Sequence, residues 1–143
     1  MDDIQSEKTR AIIGAAIKVH RALGPGLLES TYRACLVKQL SDDGMTAEEE
    51  VPIAILYNNH RLDVGYRADV IVDRTVLLEL KSMDALLPIH EAQILTYLKH
   101  TNLEVGLLIN FNVRTLTRGV RRLVRRRTPA LPIAADSPPG NPA

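Results

Sequence analysis

The segment YRADVIVDRTVLLELKS, residues 66–82, contains two runs of branched aliphatics separated by Asp73 and Arg74. That is the pattern of a buried strand pair. Asp69, Glu79 and Lys81 interrupt the runs, although an ionised side chain is costly to bury unless something compensates it. Side chains alternate across a strand, so Asp69 shares a face with Arg67 and Ile71, and Glu79 with Leu77 and Lys81. Ala68, Val70 and Val72 point to the opposite face. A three-residue loop, 73–75, keeps the aliphatic sets together and predicts the register Val72–Val76, Ile71–Leu77 and Asp69–Glu79.

In that register the two carboxylates are cross-strand neighbours, with β-carbons roughly 4.5–5.5 Å apart, and they repel when both are ionised. Mg²⁺ or Mn²⁺ would compensate them. These ions take oxygen ligands at about 2.0–2.2 Å, commonly one or two carboxylates with phosphate oxygens and water. Lys81 would bring an ammonium to the same face. Two carboxylates, a lysine and a divalent cation suit phosphodiester hydrolysis: the metal polarises the phosphoryl group, and metal and lysine together favour a hydroxide nucleophile. The plainer alternative is that Glu79 and Lys81 neutralise one another on a solvated face, with Asp69 a turn-proximal acid.

Working outward, residues 5–23 carry apolar side chains at 12, 16, 19 and 23 and again at 13 and 17, the spacing of an amphipathic helix. Gly24-Pro25-Gly26 ends it. A second helix is predicted from Leu27 to about Leu40, with Leu28, Tyr32, Cys35, Leu36 and Leu40 facing the core. Two strands flank the turn 57–60, where Asn58 and Asn59 tolerate positive φ, and with the third strand at 75–82 they form an antiparallel meander. A helix opens at Pro88, and the apolar run 104–111 reads as a buried strand parallel to the third. Residues 119–125 read as an edge strand or a short helix. Residues 1–127 are expected to form one domain. From Thr128 the chain holds five of its eight prolines and little to bury, so 128–143 are expected to be disordered.

The 143 residues and 45% hydrophobic content suit one ordinary core and leave no room for a second catalytic domain. One cysteine, Cys35, excludes an intrachain disulfide and a Cys-rich zinc cluster. No run approaches the roughly 18 apolar residues of a membrane span, and the acidic start lacks an apolar h-region. A cytoplasmic protein with no membrane partner is expected. The net charge of +1 hides an asymmetry. Residues 1–110 hold 11 Lys and Arg against 16 Asp and Glu, giving −5, and residues 111–143 hold 7 against 1, giving +6. The seven are Arg114, Arg118, Arg121, Arg122, Arg125, Arg126 and Arg127. Such a cluster suits a phosphate backbone, or is a solvated basic face.

With "AD" in one strand and "ELK" in the next, the chain resembles the PD-(D/E)xK nuclease superfamily, the restriction-endonuclease-like fold. GLLESTY, Gly26–Tyr32, is similar to the G-x-x-E-x-x-Y signature of the small GxxExxY family assigned to it. QILTY, Gln93–Tyr97, resembles the Q-x-x-x-Y pattern of the RecB-like and lambda-exonuclease-like branches. The similarity spans about residues 8–125. It implies an α/β domain with a mixed sheet, the meander plus one parallel strand after a crossover helix, and helices flanking. It implies Asp69 and Glu79 as metal ligands with the Leu80 carbonyl a third, Lys81 as the catalytic lysine, and Glu29 completing the metal site. Gln93 and Tyr97 would position substrate or the attacking water. Ala68 replaces the proline of the superfamily name, at a position that varies widely.

The residues support these transfers unevenly. Glu29 shares the inward face of its helix with Tyr32 and Leu36, but a first-turn acid also complements the helix dipole. Gln93 and Tyr97 share a helical face, as a boundary hydrogen-bonding pair would. His20 lies on the Ile13 and Ile17 face, as a satisfied core histidine or a support to the site. His60 reads as a turn residue, and His90 is placed to reach phosphate or to face solvent. Arg67, Arg114, Arg118, Arg121, Arg122 and Arg125 are the candidates for nucleic-acid contact. The leading expectation is a Mg²⁺- or Mn²⁺-dependent nuclease, acting on DNA rather than RNA. The alternative is a non-catalytic nucleic-acid-binding or regulatory protein that kept the fold, and a structural subunit of a larger complex is a third. Aromatics are only 3% of residues, so extensive base stacking is not expected and backbone recognition should dominate. A homodimer would let so small a chain engage both strands of a duplex.

Overall fold

The computed structural model describes residues 3–126. Helices α1 (Asp3–Leu23) and α2 (Glu29–Asp42) are followed by strands β1 (Ala47–Pro52), β2 (Ile55–Tyr57), β3 (His60–Leu62), β4 (Arg67–Val72) and β5 (Val76–Lys81). Helix α3 (Pro88–Thr101) leads to β6 (Val105–Asn110), and a 3-10 turn, Leu116–Gly119, leads to β7 (Val120–Val124). Five strands form one sheet in the order β1-β4-β5-β6-β7, in which β5 and β6 are parallel and the other pairs antiparallel. This is the restriction-endonuclease-like α/β architecture.

The period-2 alternation of β4 and β5 sorts their side chains into two cores. On one face Ile12, Ala16, Tyr32, Leu36 and Leu40 of α1 and α2 pack with Val70, Val72, Leu78, Leu80, Leu107 and Ile109. On the other, Ile94, Tyr97 and Leu98 of α3 pack with Ile71, Leu77 and Leu108. Because β5 and β6 are covered on both sides, they read as nearly continuous apolar runs. Gly106 lets α3 lie close to β6, since a Cβ there would stand 2.6 Å from the Ile94 Cγ2.

The meander is present with two modifications. Each of its first two strands breaks: the outer parts pair as a separate hairpin, β2 with β3, around Asn58 (φ 50°) and Asn59 (φ 63°). These are the left-handed conformations a two-residue hairpin turn needs. Pro52 has no N–H to continue the ladder, and Ile53, 1% exposed, turns into the α3-side core. The Leu56 N–H donates to His100 Nδ1 at 3.0 Å and fastens the hairpin to the end of α3. Ala68 is the second difference, because it lies with Ile53 and Ile71 rather than with Val70 and Val72. Glu50, in the left-handed region at φ 49°, stands opposite Asp69 without forming a ladder pair, and the pleat changes face there.

Residues 120–124 resolve as an edge strand antiparallel to β6. The disorder expected for 128–143 concerns residues outside those described. No helix among the described residues is long and apolar enough to cross a membrane. Where the chain turns from the 3-10 segment into β7, a Cβ on Gly119 would stand 2.2 Å from the Asn110 carbonyl oxygen. Backbone cannot yield as a side-chain tip can, so Gly119→Ala should destabilise the fold by about 2 kcal/mol or more in urea unfolding. Gly14→Ala, in the α1 interior where the added Cβ would meet nothing within 4 Å beyond its chain neighbours and its own helical backbone, should be neutral or stabilising.

Candidate functional site

The β4–β5 ladder runs through Val72–Val76, Ile71–Leu77 and Val70–Leu78, the register read from the sequence. Beyond Val70 the carboxylates take over from the main chain. The Asp69 N–H donates to Glu79 Oε1 at 3.1 Å, and the Leu80 N–H donates to Asp69 Oδ2 at 2.8 Å. Each acid thus satisfies a backbone donor of the opposite strand with one oxygen, and the two carboxyl groups are held together. The N–H and C=O of one strand residue project to the same edge. Since the Leu80 N–H points at Asp69, its carbonyl faces the same gap, while the Lys81 carbonyl points the other way and accepts from the Phe111 N–H at 2.9 Å.

Glu79 is 6% exposed, and its pKa is pushed up to about 7. Burial is the largest cause, followed by the charge of Asp69, with that of Glu29 a smaller addition. The Asp69 N–H and the Lys81 ammonium work against the rise without cancelling it. The pair is therefore short of positive charge. Lys81, half-buried at the end of β5, and Glu29 both act on Glu79, so the chain brings all four charged groups within electrostatic reach. Glu29 departs from expectation in one respect. It is exposed at the first residue of α2 rather than packed inward with Tyr32 and Leu36. The inward position is lost because the helix begins at Glu29 itself, leaving that side chain beyond the packed turns.

Gln93 and Tyr97 come together on α3, where Gln93 Nε2 donates to the Tyr97 hydroxyl at 2.8 Å. Tyr97 is 4% exposed, and its hydroxyl is pushed above the ordinary phenol range, mostly by burial. The charges of Glu79 and Asp69 add to the rise, which places the phenol beside the acid pair. Its ring meets that of Tyr66 at 5.9 Å and 59°. His20 stands apart as a satisfied core residue, 8% exposed, with Nε2 2.7 Å from the Val113 carbonyl oxygen. His60 opens β3 opposite Tyr57, and His90 accepts the Leu87 N–H at 2.9 Å as a cap of α3.

The arginines divide. Arg67 starts β4, Arg114 follows β6 and Arg118 precedes β7, so these three exposed residues occupy the end of the sheet where Lys81 lies. Arg121 and Arg122 pair with Leu108 and Leu107, and the Arg125 N–H reaches the Glu104 carbonyl, so this row runs down the β7 edge to the opposite end. The sheet topology thus spreads along one edge a cluster that is compact in sequence.

Three supporting sets of contacts, made by Tyr32, Ser82 and Asn110, escaped sequence reasoning. The Tyr32 hydroxyl donates to the Gly24 carbonyl at 2.5 Å and accepts from the Leu27 N–H at 3.1 Å, while its ring stacks on Phe111 at 4.5 Å and 9°. It clamps the turn that delivers Glu29, and the Ser82 hydroxyl ties the Leu27 carbonyl to the residue after Lys81. Asn110, 2% exposed, holds the main chain of Met83 on both sides, accepting its N–H at 3.1 Å and donating to its carbonyl at 2.9 Å. A polar residue ending the apolar run 105–109 was the available signal.

The class defined by this sheet and its opposed acids is a restriction-endonuclease-like α/β domain. Residues 6–123 match a family model described as the PD-(D/E)XK nuclease superfamily, and the chain belongs to that superfamily. No curated protein and no solved structure matches it significantly. Among the described residues no group of three or more His, Cys, Asp or Glu side chains converges on one point. Two carboxylates and a carbonyl nevertheless fit Mg²⁺ or Mn²⁺, which commonly bind through one or two carboxylates and complete their shells with water and phosphate.

The raised pKa of Glu79 has a testable sign. Between the ordinary value of 4.5 and about 7, the folded chain holds a proton that the unfolded chain has released. The associated stability is complete below pH 4.5 and is lost as pH rises through 7. At about 1.4 kcal/mol per unit the loss is on the order of 3 kcal/mol. With divalent cations chelated, Glu79→Gln should match the native chain near pH 4.5 and exceed its stability by about 1–3 kcal/mol at pH 8, read by urea unfolding across that range.

Proposed function

We propose that this protein is a metal-dependent nuclease that hydrolyses phosphodiester bonds, with DNA as its substrate. The observation that supports it most is the pair of hydrogen bonds from the Asp69 N–H to the Glu79 carboxylate and from the Leu80 N–H to the Asp69 carboxylate, which holds the two acids side by side, with Lys81 two residues beyond Glu79 on β5. Membership of the superfamily supports it independently, since its nucleases typically use divalent metals. Asp69, Glu79 and the Leu80 carbonyl would hold Mg²⁺ or Mn²⁺, and Glu29 would contribute from the start of α2. When bound, the cation supplies Lewis-acid polarisation of the phosphoryl group and lowers the pKa of its water.

The chain's own groups carry the remaining tasks. Lys81 is the catalytic lysine: its ammonium stabilises negative charge developing on the phosphoryl oxygens and orients the attacking water. The Tyr97 hydroxyl, already accepting from Gln93, keeps its proton to donate to a phosphate oxygen or to that water. Arg67, Arg114 and Arg118 flank the reacting bond as phosphate contacts, and Arg121, Arg122 and Arg125 extend the contact along β7. His20 supports the site only by pinning α1 to the loop after β6. Backbone contacts of this kind confer little sequence preference.

The arginine row running away from the acids favours a second reading, a nucleic-acid-binding protein that retains the fold without turnover. One experiment separates the two. Purified protein and Lys81→Ala are incubated with linear, nicked and single-stranded DNA and with RNA, in Mg²⁺, Mn²⁺ or EDTA. The nuclease reading expects cleavage by the native chain that requires metal and falls at least 100-fold in the variant. Salt-sensitive binding without cleavage above the variant's level in either metal would overturn it in favour of the second.

A further inference from the structure

The chain has four tyrosines, one phenylalanine and no tryptophan, so every aromatic ring can be followed. Tyr32 and Phe111 are fully buried against each other, and Tyr97 is 4% exposed, within electrostatic reach of the acid pair. Two rings remain open to solvent: Tyr57, 66% exposed beside the β2–β3 turn, and Tyr66, 46% exposed. Only Tyr66 adjoins the site. Its ring touches that of Tyr97, and it precedes Asp69 by three residues, which is roughly 10 Å along an extended strand.

The backbone that presents this ring is fixed. The Tyr66 carbonyl accepts the Ile53 N–H at 2.9 Å and the Arg67 guanidinium at 2.9 Å. The residue before it, Gly65, sits at φ 98° with its N–H on Asp63 Oδ1 at 3.1 Å, a turn that also receives the Arg67 side chain at 3.3 Å. A half-exposed ring on an immobilised backbone, edged by a second ring and accompanied by a guanidinium, is a preorganised surface for a flat apolar group attached to a phosphate. Every base in a single strand offers such a face, and in a duplex the bases already stack on one another.

We propose that Tyr66 is a stacking platform for an unpaired nucleobase next to the acid pair, so that the site takes single-stranded or frayed nucleic acid in preference to a paired duplex. This rests on the nuclease reading and deepens it by naming the substrate class. The limited stacking expected from composition is then concentrated at one ring, and Arg67 holds the adjoining phosphate. DNA and RNA share this chemistry.

The test measures binding and cleavage by the full chain, using fluorescein-labelled oligothymidine, oligouridine and a blunt DNA duplex. Anisotropy is read in Ca²⁺ and cleavage in Mg²⁺ or Mn²⁺. Tyr66→Ala should weaken single-strand binding about 5- to 150-fold, the equivalent of ~1–3 kcal/mol for one stacked base, and raise KM far more than it lowers kcat. Tyr66→Phe should retain native affinity, and Tyr57→Ala should leave it unchanged. Tyr66→Leu keeps an apolar neighbour for Tyr97 without an aromatic face, so it should fold and lose affinity as the alanine variant does. Native-like affinity in Tyr66→Leu, or equal affinity of the native chain for duplex and single strand, would overturn the proposal and leave the nuclease reading intact. Binding that depends on Tyr66 without any metal-dependent cleavage would uphold the platform and overturn the nuclease reading. A better bound oligouridine would assign the platform to RNA, and a better bound oligothymidine to DNA.

Discussion

The structure turns on a substitution of side chain for backbone. At the point where β4 and β5 would form their next ladder pair, the Asp69 carboxylate accepts the Leu80 N–H and the Glu79 carboxylate accepts the Asp69 N–H. Unsatisfied amides in a buried sheet are costly, so the acids are built into the hydrogen-bond network of the fold. The cost appears on Glu79, whose burial beside a second carboxylate raises its pKa to about 7. An arrangement that satisfies the backbone at the expense of a carboxyl group is more than a packing solution, because it leaves a concentrated demand for positive charge in one place.

Around that demand hydrogen bonds tie together the ends of several elements. Tyr32 clamps the turn before α2, Ser82 joins that turn to the end of β5, and Asn110 ties the end of β6 to Met83. These contacts act at the same end of the sheet as Lys81. They set the approach of Glu29 from one side, and α3 supplies Gln93 and Tyr97 from the other. The two helical layers bury different faces of the sheet and meet the site from opposite directions, so the small domain has little freedom to rearrange one contributor alone.

Charge is arranged with a similar economy. Asp69 and Glu79 meet between β4 and β5, and Arg67, Arg114, Arg118, Arg121 and Arg122 form an exposed fringe that begins near Lys81 and continues along β7. A polyanion approaching this surface would meet the fringe before the acids, and neutralising the acids with a cation would remove the remaining repulsion.

Much of this was legible in the chain itself. The even-sum register of β4 and β5 follows from the need to keep Val70 and Val72 with Val76 and Leu78, and it places Asp69 opposite Glu79 without reference to the rest of the molecule. The Pro88 start of α3, the Asn58-Asn59 turn and the buried parallel β6 follow equally from local chemistry. Asn110 could have been found by the argument that singled out Asp69, a polar group in an apolar run. Other features depend on contacts distant in sequence: the exposure of Glu29, the turning of Ala68 toward α3, the satisfaction of His20 by Val113, and the division of the arginines between two ends of the sheet. Local periodicity determined which residues alternate, pair and cap, because those choices depend on neighbours within a few positions. Tertiary structure alone decided which faces are covered and which charges come within reach, because burial and electrostatic coupling belong to segments that meet only after the chain has folded.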